Sequence, residues 1–188
     1  MSSQTPDTPI PSAGTERRSR LRQYQVQLLE RMQAAKTGAA VGGRELGVLI
    51  GGRLCLLDLT QISEIVPLQP VTQVPLAQPW YLGLANIRGN LTGVIDMERY
   101  QGRGAGDGAA ADRRMITFAS ALGFNCALLA ERVLGLRNLG DMEPVADASA
   151  DAAPPWGNQQ FRDGEGQQWT RIDLAQLVRE SRFPQVGL

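Results

Sequence analysis

Apolar residues recur along the chain with two different periods. Between Glu16 and Lys36, Leu21, Tyr24, Leu28 and Met32 follow one another at three- and four-residue steps in a charged, glycine-free stretch, and Gly38 supplies a stop. That spacing predicts an amphipathic helix over 16–37, preceded by a polar, proline-bearing tail over 1–15. After Gly42 and Gly43 the period becomes two. Leu46, Val48 and Ile50 alternate, Gly51-Gly52 offers a tight turn, and Leu54 to Leu59 return, which predicts a β-hairpin.

The short period persists to the end of the chain. Ile62 and Ile65 flank Glu64, and then Pro67, Pro70 and Pro75 restrict the segment to edge strand or turn, because proline donates nothing to a ladder. Leu91 to Met97 reads as a strand with Leu91, Gly93, Ile95 and Met97 on one face. Gly102 to Ala111 reads as a flexible loop, since its glycines lack the strand, helix and lysine context of a phosphate cradle. Met115 to Ala119 and Phe124 to Ala130 pair around Ser120 to Gly123 and begin a second β unit, with Val133, Leu134 and Leu136 extending it. Asp141 to Pro155 reads as an acidic connection, and Trp169 to Val178 as a last strand passing into a short helix. Many short strands with little helix between them indicate barrels or a sandwich, here over 44–180.

Composition narrows the class. The 188 residues are 43% apolar and 20% charged, enough for one domain with a full core, and no apolar run approaches the ~20 residues that span a bilayer. The start of the chain lacks the cationic and apolar regions of a secretory signal. Cys55 and Cys126 sit in separate strand-like runs without metal spacing, so free buried thiols and a cytoplasmic setting are expected. Net charge is zero, which argues against binding to a phosphate backbone.

The chain has no histidine, which removes the commonest general base, metal ligand and triad partner. No P-loop, nucleophile elbow, kinase signature, zinc or calcium pattern occurs, and no cofactor or metal is expected. A β-rich domain of this composition works by presenting surfaces, so an interaction module is the leading class. Two other classes stand beside it. One is a barrel module that binds oligonucleotides, which needs basic and aromatic residues interleaved on one strand face; aromatics are only 5% of the chain. The other is an enzyme built on Arg88, Glu64 and Asp96.

An ordered set of short motifs resembles the CheW-like adaptor family. These are the hairpin Leu46 to Leu59, Ile62-Ser63-Glu64-Ile65, Val74-Pro75 with Trp80-Tyr81-Leu82-Gly83, Asn86-Ile87-Arg88-Gly89, and Val94-Ile95-Asp96-Met97. Cys126 to Val133 and Trp169 to Leu174 resemble its later hairpin and closing strand, with Glu131 where the family usually has aspartate and a loose match over Pro154 to Gly166. The resemblance runs from about Glu45 to about Val178. It implies two small SH3-like five-stranded β-barrels sharing a core, with an N-terminal α-helix. It also implies no catalysis, and a bridging role between the cytoplasmic tip of a methyl-accepting receptor and a CheA-type histidine kinase, in the cytoplasm at membrane receptor arrays, with no direct membrane insertion. The helix at Glu16 to Lys36 and the wording of Ala85 to Leu91 resemble the adaptors of type IV pilus signalling, the PilI-like subtype of twitching motility, more than those of flagellar chemotaxis.

Six residues are the expected partner-binding set: Ile62, Glu64, Gly83, Asn86, Arg88 and Gly89. A guanidinium at Arg88 suits a carboxylate, and Glu64 is its natural partner. The two glycines would permit backbone conformations or close approaches that a side chain blocks. A purely structural ion pair and ordinary turn geometry explain the same residues equally well.

Overall fold

A computed structural model describes residues 43–104, 111–146 and 153–188. The expected helix over 16–37 and the tail over 1–15 lie outside the described residues. Among the described residues twelve strands form two six-stranded sheets. One contains β1 (Arg44–Ile50), β2 (Arg53–Asp58), β9 (Arg132–Asn138), β10 (Glu143–Val145), β11 (Gln159–Arg162) and β12 (Gln168–Ile172), in the order β10-β11-β12-β2-β1-β9. The other contains β3 (Ile62–Pro67), β4 (Val71–Thr72), β5 (Tyr81–Ile87), β6 (Asn90–Ile95), β7 (Arg114–Phe118) and β8 (Cys126–Ala130), in the order β3-β7-β8-β6-β5-β4.

The two sheets repeat one wiring. Each is built on an antiparallel hairpin, β1-β2 or β5-β6, whose second strand pairs in parallel with a later one, β12 or β8. Two antiparallel strands then follow outward. Both hairpins turn on two residues at positive φ, as a type I′ turn requires: Gly51 at 57° and Gly52 at 68°, Arg88 at 50° and Gly89 at 88°. The strand-end motifs Leu57-Asp58-Leu59, Ile95-Asp96-Met97 and Ile172-Asp173-Leu174 also repeat a local device. Each aspartate accepts a backbone N–H of the helical turn that follows, from Thr60, from Glu98 and Arg99, and from Gln176.

Both faces of the central strands are buried, and successive residues separate into two cores. On β6, Val94 joins Val66, Ala85, Ile87, Met115 and Ala127 inside the curl of its own sheet. Its neighbour Ile95 joins the larger core between the sheets, with Leu46, Val48, Leu57, Ile116, Leu128 and Ile172. Phe183 anchors the C-terminal segment there: its ring meets Trp80, Tyr100, Phe118 and Phe124 at centroid distances of 5.9, 6.0, 6.2 and 5.6 Å. The inside of the first sheet is different. Trp169 and Leu56 fill it beside an ion network of Glu45, Arg171 and Asp58.

Five expectations need correction. The sheets have six strands rather than five, and neither closes into a barrel, because their end strands do not pair. β4 is two residues long between Pro70 and Pro75, β3 ends at Pro67 and β10 carries Pro144, all features of edges. The chain is not two consecutive β units either: β7 and β8 complete the sheet of β3 to β6, while β1 and β2 pair with strands from the far end of the chain. Met97 starts the short helix Met97–Tyr100 capped by Asp96 instead of extending β6, and the connection 141–155 contains β10.

Candidate partner-binding site

The expected residues gather around the tip of the β5-β6 hairpin. Ile87 pairs with Asn90, leaving Arg88 and Gly89 as the two-residue turn. Asn86 Oδ1 accepts the Gly89 N–H at 2.8 Å and fixes the turn. Where the other hairpin has Gly51, this turn has Arg88, an L-residue held at φ 50°. That conformation costs an L-residue about 1–2 kcal/mol relative to its right-handed counterpart. The turn geometry would accept glycine without that cost, so the position favours a side chain over a relaxed backbone.

Arg88 projects from the tip with 78% of its side chain exposed, and its Nε lies 3.1 Å from Oε2 of Glu64 on edge strand β3. The expected ion pair is therefore present. Ion pairs this exposed contribute only about 0–1 kcal/mol, too little to explain a strained arginine by stability. Beside it the tip carries Leu91, 64% exposed, whose carbonyl accepts from Asn125 Nδ2.

The other two expected residues sit elsewhere. Gly83 is buried at φ 134°, and a Cβ there would come within 2.1 Å of the Thr72 carbonyl oxygen; its role is the close approach of β4 to β5. Ile62 packs against the core between the sheets. Asp96 does not join Arg88 and Glu64: it lies beyond the opposite end of β6, where it caps a helix and pairs with Arg99 at 3.3 Å. The constellation needed for an arginine–carboxylate enzyme is not assembled.

Among the described residues no group of three His, Cys, Asp or Glu side chains is placed to hold a metal ion. Both cysteines are free; burial pushes Cys55 up to about 12 and Cys126 up to about 11, so neither is a ready thiolate. No helix among the described residues is long and apolar enough to cross a membrane.

Sequence reasoning missed one charge cluster, built around the buried Glu45. Arg171 donates to Glu45 Oε1 and Asp58 Oδ2, both at 3.1 Å. Burial raises the Glu45 carboxyl above its ordinary range despite Arg171, and its Oε2 has no hydrogen-bond partner among the described residues. Burial also pulls Arg171 down, but the hydrogen bond and charge of Glu45, with Asp58 and Asp173, more than offset that and hold it above the usual guanidinium range. Nothing local in the sequence marks Glu45 as buried, and only the distant pairing of β12 with β2 brings Arg171 to it.

Two six-stranded sheets packed on a shared core, with an exposed, charged hairpin tip, define a β-rich domain. A CheW-like domain profile matches residues 45–182, and the chain belongs to the CheW-like domain family. This is a family of scaffold and adaptor proteins of chemotaxis signalling, not of enzymes. Among solved structures the chain is similar to the scaffolding protein TtCheW from Thermoanaerobacter tengcongensis. The identity is 20% and the TM-score 0.58, over 74% of this chain and 94% of that one. No curated protein matches the chain.

Proposed function

We propose that the chain couples a methyl-accepting receptor to a CheA-type histidine kinase, and that it does so in the control of type IV pilus twitching motility. The observation that carries the adaptor reading is Arg88: strained, exposed and paired with Glu64 at a projecting hairpin tip of a CheW-like domain. A residue that the backbone accommodates at a cost, in a pair that adds little stability, is best explained by what it presents to a partner.

In this reading Glu64, Arg88 and Leu91 form the contact surface and Asn86 and Gly89 hold the turn, while Gly83 lets β4 approach β5 and Ile62 anchors β3 on the core. The pilus assignment rests on the wording Ala85-Asn86-Ile87-Arg88-Gly89-Asn90-Leu91. Flagellar chemotaxis is the alternative pathway. Reconstitution tests the adaptor role: kinase autophosphorylation in the presence of receptor membranes should rise on adding the purified chain, and an unchanged rate would contradict it. Deletion in the source cell separates the pathways, with loss of surface twitching and intact swimming expected.

A further inference from the structure

We propose that Thr117, on β7, is a positioning residue for the partner-binding pair, acting through the backbone of Glu64; this rests on the adaptor reading above. β3 does not run regularly along β7. Ile62 pairs with Phe118 and Ile65 with Ile116, so Ser63 and Glu64 together oppose the single residue Thr117. This is a two-against-one bulge, a feature that leaves backbone groups off the ladder and re-aims side chains.

The Thr117 hydroxyl takes both displaced groups. It accepts the Glu64 N–H at 3.0 Å and donates to the Glu64 carbonyl at 3.2 Å. One side chain thus clamps the backbone of the residue that holds Arg88, from a position only 8% exposed itself. The bulge also changes the parity of the strand. Ile62 and Val66, four residues apart, would share a face in a regular strand, yet Ile62 packs into the core between the sheets and Val66 inside the curl of its own sheet. Between these reversed faces Glu64 points at the hairpin tip.

Valine has nearly the volume of threonine and keeps the β-branched shape, so Thr117→Val removes the clamp with little change in packing. The experiment titrates the purified cytoplasmic fragment of a methyl-accepting receptor against the native chain, Thr117→Val, Thr117→Ser, Arg88→Ala and the Thr117→Val/Arg88→Ala double variant. In parallel it follows hydrogen exchange of the Glu64 amide. Losing one neutral hydrogen-bonding group is expected to weaken binding about fivefold and to speed Glu64 exchange by at least that factor. Serine should restore both, and Thr117→Val should add no further loss to Arg88→Ala, since both act on one contact. Unchanged binding by Thr117→Val while Arg88→Ala weakens it overturns the proposal, as do losses that multiply in the double variant. If Arg88→Ala binds normally, the adaptor surface itself is wrong, and unchanged Glu64 exchange in Thr117→Val then overturns the clamp on its own evidence.

Discussion

Arg88 Nε lies 3.1 Å from Glu64 Oε2, a contact that joins the tip of one hairpin to the edge strand of the same sheet. Arg88 is at the same time one of two non-glycine residues at positive φ among the described residues, the other being Leu76. Stability and presentation therefore pull in opposite directions at this position. Arg88→Gly should relax the turn and raise stability by about 0.5–1 kcal/mol while removing the guanidinium. In thermal melts this is a rise of about 1–4 °C for a domain of this size, accompanied by weaker partner binding. A lower melting temperature would show that the ion pair outweighs the backbone strain.

Gly83 behaves in the opposite way. A Cβ there meets the Thr72 carbonyl oxygen, a backbone atom, at 2.1 Å, and φ is 134°. Gly83→Ala should cost at least about 3 kcal/mol, because the overlap and the disallowed φ add and β4 has to move away. Urea denaturation measures it. Retained stability would mean that β4 is held only loosely.

Glu45 gives the fold a signed pH dependence. Burial places its carboxyl above the ordinary 4.5 in the folded state. Its protonated form therefore contributes stability that is fully present below that value and is lost as pH rises through the folded one. Glu45→Gln has no proton to lose. The melting temperature of Glu45→Gln minus that of the native chain should be more positive at pH 7 than at pH 4, other groups cancelling in the difference. The reverse trend would mean that Arg171 outweighs burial and draws the carboxyl down.

Local features of the fold are legible in the sequence, and long-range ones are not. The alternation of Leu46, Val48 and Ile50 around Gly51-Gly52 specifies the first hairpin, and Pro67, Pro70 and Pro75 mark edges, because turn chemistry and proline act within a few residues. The short helix after the last strand is legible in the same local way, whereas Asp96 reads as part of a strand, because the helix at Met97 is too short for its apolar period to show. The parallel pairing of β12 with β2, and with it the Glu45–Arg171 contact, depends on residues more than a hundred positions apart. At the candidate site Glu64 and Arg88 were readable as complementary charges. Thr117 was not, because a bulge is a matter of register between two strands and leaves no mark on either alone.

The central claim is that Arg88 serves recognition rather than stability. It is tested most directly by measuring receptor-fragment or kinase binding and the thermal melt on the same preparation of Arg88→Ala. Alanine keeps the strained φ and removes only the exposed side chain, so the melt should shift by no more than the equivalent of about 1 kcal/mol while affinity falls about tenfold or more. A large fall in melting temperature with binding per folded molecule intact would contradict it.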